Sequence, residues 1–285
     1  MQPNLAQVND MKLFLLVAVT MAAFAGNSVL NRFGVGMLGM DPMHFAVIRT
    51  VAGAGVLTAL VLMRGGRVPI NTRRMAGAFA LAAYMVGFSW AYLSLDAGLG
   101  ALILFGVLQV AMFGFAVFRG QNIPSLRWIG AGLAMVGLIV LLWPSGATAV
   151  PIWGAVAMIV AGVAWAAYTL LGQGEGDAIA ASAGNFVLAV PLVGLSLLLA
   201  DGGTLTASGV LVAAVAGAVT SGLGYALWYS CLPKLPTTTA AISQLSVPII
   251  AVAGGVIFLS EPLTMRLVAA GVLVLGGIGV SLIRR

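Results

Sequence analysis

The chain has 285 residues, 61% of them hydrophobic and only 7% charged, with a mean hydropathy of +1.12. A soluble domain carries about 25% charged residues, so this composition excludes a polar-coated globule and reads as an integral membrane protein. The formal charge of +6 comes from unevenly placed Lys and Arg, and a single Cys231 excludes an internal disulfide framework and any multi-cysteine metal site.

A membrane helix needs about 20 mostly apolar residues. The first such stretch, Lys12 to Asn31, opens like a signal peptide, with Lys12, an apolar run and "AFA". No soluble domain follows it and the second half mirrors it, so it is expected to remain as the first helix. The second stretch, Pro42 to Met63, holds the only histidine, His44, and an arginine inside the apolar run, Arg49. The third, Arg73 to Leu95, repeats Tyr84, Phe88 and Tyr92 at four-residue spacing, which makes one aromatic stripe on a helix. Gly98 to Phe118 carries Gln109 at its middle, and Leu126 to Trp143 is apolar throughout its centre.

The sixth stretch, Pro151 to Leu171, contributes Trp165 and Tyr168, and the seventh runs from Ser182 to Ala200. The eighth, Ser208 to Cys231, brings Tyr225, Trp228 and Tyr229, with a small-residue face of Gly217, Ser221, Gly222 and Gly224. The ninth, Thr237 to Phe258, includes Ser243 and Gln244, and the tenth, Thr264 to Ile283, has Gly271, Gly276, Gly277 and Gly279. Small residues permit close helix packing, and the tenth-helix face also offers a route to a weak homodimer. The links are short, so any function sits within the bundle.

Lys and Arg accumulate on the cytoplasmic side of membranes. An inward N-terminus places Lys12, Arg64, Arg67, Arg73, Arg74, Arg119, Arg127, Lys234, Arg284 and Arg285 inside, and only Arg32 and Arg266 outside. Both termini are therefore expected in the cytoplasm. The chain also repeats itself at an offset of 140 residues, pairing Ala101 with Ala241, Val107 with Val247, Gly114 with Gly254, Leu133 with Leu273 and Gly137 with Gly277. Five helices per half, an odd number, insert the second half upside down. The expected architecture is all-α, ten transmembrane helices as two inverted repeats, 1–145 and 146–285. Transporters built so place the solute site near the midplane between the halves.

Arginine at a membrane helix centre costs about 2.5–3.5 kcal/mol on insertion scales. One reading of Arg49 is structural, bonding free carbonyls. The other makes it a cation that meets a solute carboxylate or closes the outer gate, with Asn27 and Ser28 at similar depth to hold it. His44 lies nearer the surface, where a solvated interfacial role competes with a gating one. Across the repeat Phe88 matches Trp228 and Ser89 matches Tyr229. Some of these aromatics are interfacial anchors, but Tyr84 and Tyr225 lie too deep for that. The expected cavity and gates therefore draw on Asn27, His44, Arg49, Tyr84, Phe88, Ser89, Gln109, Trp165, Tyr168, Tyr225, Trp228, Tyr229, Ser243 and Gln244. Of these, His44, Arg49, Asn27 and Phe88 form the outer gate, and Trp165, Tyr168, Trp228 and Tyr229 the inner one.

The stretches "FAGNSVLNRFG" and "DPMHFAVIRTVAGAGVLTAL" resemble the opening of EamA-like exporters of the drug/metabolite transporter superfamily, in which the second helix commonly carries an arginine at the position of Arg49. "VAWAAYTLLG" is similar to the sixth-helix pattern, and "AAISQLSVPIIAVAGGVIFLSEPLTMRLVAAGVLVLGGIGV" to the ninth-to-tenth signature with Pro248 and Glu261. In the first half Leu108 and Gln121 stand at the corresponding positions. The resemblance implies export of small metabolites, frequently amino acids, from a bacterial cytoplasm across the inner membrane.

The seven carboxylates, Asp10, Asp41, Asp96, Glu175, Asp177, Asp201 and Glu261, fall at helix ends or in links, which argues against a buried carboxylate relay. With one His and one Cys no metal set is expected. There is no GxxxxGK loop and no HExxH motif, so neither enzyme activity nor a cofactor is expected, and no nucleic-acid partner. An ion or small-solute channel, and a lipid flippase or scramblase, remain the alternative classes.

Overall fold

A computed structural model describes residues 5–120, 124–143, 150–172, 176–200, 204–231, 234, 243–244 and 246–281, except the side chains of 5–10, 127, 178, 229 and 281. Among the described residues ten helices follow one another: α1 (Leu5–Asn31), α2 (Pro42–Met63), α3 (Thr72–Ala91), α4 (Ala97–Phe118), α5 (Ser125–Leu142), α6 (Ile152–Gly172), α7 (Ala178–Gly194), α8, α9 (Ser246–Leu259) and α10 (Met265–Ser281). Helix α8 has three consecutive parts, an α segment Ala207–Val215, a π-helical stretch Ala216–Leu223 and an α segment Gly224–Cys231. A π-helical turn, Arg32–Met37, also follows α1, and a 3₁₀ turn, Leu195–Leu199, follows α7.

Six of the spans are long and apolar enough to cross a membrane, and α5, α9 and α10 contain shorter apolar helices. The chain is an all-α membrane protein. Helix α3 is the least apolar, because it carries Arg73, Arg74, Tyr84 and Ser89 and packs between α6 and α7. It stops at Ala91, short of the expected Leu95, and the expected continuous eighth helix is instead interrupted by its π stretch. The expected start of the ninth helix, 237–242, lies outside the described residues.

Local chemistry sets the helix starts. Asp41 caps α2 by accepting from the Met43 and His44 amides at 2.8 and 3.0 Å, with Pro42 at the first position. Asn71 caps α3 through the Arg74 amide at 3.1 Å, Asp177 caps α7 through Ala180 at 3.0 Å, and Thr206 caps α8 through Gly209 at 3.1 Å. Gly65 and Gly120 follow α2 and α4 with φ of 71° and 65°, the left-handed conformation that ends helices.

Helix α2 packs on α7 and α8, α4 on α9 and α6, and α5 on α10, while α1 packs on α8 and α9. The α5–α10 seam is closed by small residues. A Cβ on Gly137 would meet Leu273 and Val274, and one on Gly277 would meet Leu133 and the Ala134 amide. Gly277 thus faces α5 within the chain, while Gly276 and Gly279 look into open space.

Candidate functional site

The site is built outward from Arg49, which is completely buried on α2. Its Nε donates to Ser221 Oγ at 3.0 Å and its Nη2 to the Tyr84 hydroxyl at 3.1 Å. The guanidinium also lies over the Tyr84 and Phe88 rings, 5.4 and 5.0 Å from their centroids, contacts worth about 0.5–2 kcal/mol each. Among the described residues Nη1 has no hydrogen-bond partner. Arg49 therefore faces the bundle, as expected, but its partners are not the expected Asn27 and Ser28.

Asn27 reaches the arginine one step removed. Its Oδ1 accepts from Ser221 Oγ at 3.1 Å and from Thr220 Oγ1 at 2.6 Å, and its Nδ2 donates to the Thr220 carbonyl at 3.3 Å. The Asn27 carbonyl accepts from Asn31 Nδ2 at 3.0 Å, and Asn31 Oδ1 accepts from Ser89 Oγ at 3.0 Å. A polar seam thus runs Arg49–Ser221–Asn27–Asn31–Ser89 through α2, α8, α1 and α3. The π stretch of α8 supplies Ser221 and Thr220 together, and such stretches recur at functional sites. Gly217 in the same stretch lets α8 approach closely, since a Cβ there would run into the Arg49 carbonyl oxygen.

Aromatic rings continue from the arginine. Tyr84 lies 5.1 Å from Phe88 and 4.9 Å from Trp165, and Phe88 lies 4.9 Å from Tyr92. Trp165 stacks on Tyr168 at 5.5 Å and meets Tyr225 edge-on at 5.2 Å. Tyr225 meets Phe186 and Phe24, each at 5.8 Å, and Phe24 meets Trp228 at 6.1 Å. Tyr84, Phe88, Tyr168, Tyr225 and Trp228 are buried in one connected column and Trp165 is half-buried. The column joins residues assigned above to the outer and the inner gate.

The remaining expected residues divide. His44 is apart from Arg49: its Nδ1 lies 3.1 Å from Asp41 Oδ1 at the start of α2. Burial raises the Asp41 carboxyl, but bonds from His44 and Met43 outweigh it and hold the pKa below its ordinary value. Gln109, Ser243 and Gln244 are half-buried, with the Ser243 carbonyl accepting from Ser246 Oγ at 2.6 Å. The Tyr229 side chain lies outside the described residues. Ser221, Thr220, Asn31, Phe24 and Phe186 had not been singled out as site residues. The signal is the run "VTSGLGY", which sets polar groups among the glycines of an apolar helix.

Two ionic ties join the links. On one face Arg32 reaches Glu261 and Asp96, each at 3.4 Å, and donates to the Tyr92 carbonyl at 3.2 Å. On the other face Arg64 pairs with Asp177 at 3.1 Å, both well exposed. A separate crevice of about 490 Å³ lies between α4, α5 and α6, lined by Val107, Leu138, Leu142, Trp143, Ile159 and Val163 among others. It is almost wholly apolar and touches none of the polar seam.

The EamA-like transporter family profile matches residues 152–283. An uncharacterised protein of Pseudomonas aeruginosa is 44% identical over 279 residues, covering 97% of this chain and 96% of its own. Two Archaeoglobus fulgidus proteins described as uncharacterised transporters are 27% and 25% identical, covering 96% and 94% of this chain and 100% and 96% of theirs. A crystal structure with 17% identity is similar in fold, with a TM-score of 0.65 over 93% of this chain and 98% of that one. The chain belongs to the EamA-like transporter family, whose members are multi-pass membrane transporters of small solutes.

Proposed function

We propose that this protein exports small metabolites, amino acids foremost, from a bacterial cytoplasm across the inner membrane. It works by alternating access between inverted repeats 1–145 and 146–285, with both termini cytoplasmic, as a carrier without a cofactor and as a monomer or weak homodimer. Helix packing supports the repeat. Adding five to each helix number exchanges α3–α6 with α8–α1, α4–α6 with α9–α1 and α3–α7 with α8–α2, while α2–α7, α4–α9 and α5–α10 map onto themselves. The α5–α10 seam follows the same rule, Gly137 meeting Leu273 as Gly277 meets Leu133.

The observation that carries the reading is Arg49, a fully buried cation held jointly by Tyr84 of the first half and Ser221 of the second. A residue that bridges the halves at an aromatic-lined junction is placed to sense a solute and the relative position of the repeats at once. In this orientation Arg32, Asp96 and Glu261 form an outer latch, and Arg64 with Asp177 spans the inner links. Uptake and counterflow in proteoliposomes across a panel of neutral amino acids tests the reading. Saturable flux accelerated by solute on the far side is expected. Folded protein that moves none of them, or that gives a non-saturating conductance, would overturn it.

A further inference from the structure

We propose that Arg49 Nη1 is the docking point for a solute carboxylate, which on binding takes the guanidinium over from Tyr84 and Ser221. The inference rests on the proposed solute site and names the chemistry it selects.

Arginine offers five N–H donors, yet among the described residues only Nε and Nη2 have partners, and both partners are neutral hydroxyls. Nη1 is buried and unpaired, and among the described residues no carboxylate forms an ion pair with Arg49. A buried charge without a counter-charge is destabilising. The ring faces of Tyr84 and Phe88 offset part of that. What they leave is a guanidinium whose strongest partner, a carboxylate held by two parallel hydrogen bonds, is absent from its protein surroundings. A visiting solute supplies it.

The geometry also says what else the solute carries. Tyr84, Phe88 and Trp165 stand side by side next to the guanidinium, with Tyr225 beyond, so the body attached to the carboxylate is apolar or aromatic. A two-point grip needs Nη2 as well as Nη1, and Nη2 is engaged by Tyr84. Binding therefore displaces the Tyr84 hydroxyl and draws Arg49 from Ser221. Ser221 lies in the π stretch of α8, whose other ties are Thr220 and Ser221 to Asn27. The carboxylate thus loosens the joint between α2 and α8, one helix from each half, and couples recognition to movement.

The experiment is counterflow in proteoliposomes with neutral amino acids, each compared with its carboxamide and its decarboxylated amine. Wild-type protein is expected to move the acids at least about ten-fold faster than either derivative, and folded Arg49→Gln to lose that preference. Where Arg49→Gln yields no folded protein, Tyr84→Phe serves instead. It frees Nη2, so the apparent KM for the acids is expected to fall at least about three-fold. Amides or amines carried as fast as the acids, an acid preference intact in Arg49→Gln, or an unaltered KM in Tyr84→Phe would overturn the inference while leaving transport standing. Absence of flux for every acid would remove both.

Discussion

Glu261, in the link between α9 and α10, accepts the Ala97 amide of α4 with both carboxylate oxygens at 2.9 Å, across 164 residues of sequence. The residue that should cap α4 locally, Asp96, makes no such bond and turns to Arg32 instead. The second half thus closes a helix of the first. Ser260, with φ of 55°, adopts a left-handed conformation unusual for a side chain just before Glu261. Replacing Glu261 by Ala is expected to cost about 1–2 kcal/mol, as loss of an N-terminal cap does, while Glu261→Gln keeps an acceptor and costs less. Thermal unfolding in detergent separates the two, and equal losses would show that capping is not the cause.

The two buried link carboxylates should respond to pH with opposite signs. Burial pushes Glu261 above its ordinary value despite the Ala97 bond, so stability is lost as pH rises from about 4.5 through the raised pKa. Asp41 is held below about 3.8, so its contribution is present at neutral pH and lost as pH falls through the lowered value. Unfolding temperature against pH should therefore lose its decline above about pH 4.5 in Glu261→Gln and its decline below about pH 3.8 in Asp41→Asn. Profiles parallel to the wild type would contradict both assignments.

At the other face the Arg64–Asp177 pair is exposed, and such pairs contribute about 0–1 kcal/mol. Asp177 matters more as the cap of α7. Arg64→Ala and Asp177→Asn should each cost less than about 0.5 kcal/mol, and Asp177→Ala about 1 kcal/mol. An Arg64→Ala loss matching that of Asp177→Ala would give the pair the larger role.

The α5–α10 seam gives a sharper contrast within one helix. Gly277→Leu forces a side chain into the Gly130 carbonyl and Leu133 and should cost at least about 1–3 kcal/mol. Gly276→Ala meets nothing within 4 Å and should be neutral or stabilising by up to about 1 kcal/mol. The check is the yield of monodisperse protein and its unfolding temperature. Similar losses in both variants would move the seam elsewhere.

The helices were legible because apolar runs of spanning length leave few other options. Arg49 was legible as an anomaly that had to face inward. Its partners were not, because Ser221 lies 172 residues away and a single sequence does not fix which helices sit side by side. The π stretch compounded this. One extra residue per turn rotates the following side chains around α8, so helical spacing alone misplaces Ser221 and Tyr225 relative to one another. His44 reads as lying nearer the surface than Arg49, and its contact with Asp41 is at the helix start.

The measurement that tests the central claim most directly is proteoliposome flux and folded yield for Arg49→Lys beside Arg49→Ala. A lysine keeps the charge but loses the planar fork that holds Ser221 and Tyr84 together, and alanine also leaves those hydroxyls without their donor. The account predicts folded Arg49→Lys protein with flux reduced at least about ten-fold, and Arg49→Ala impaired in both yield and flux. Wild-type flux from well-folded Arg49→Ala would contradict it, leaving the arginine a tolerated buried charge with no part in moving the solute.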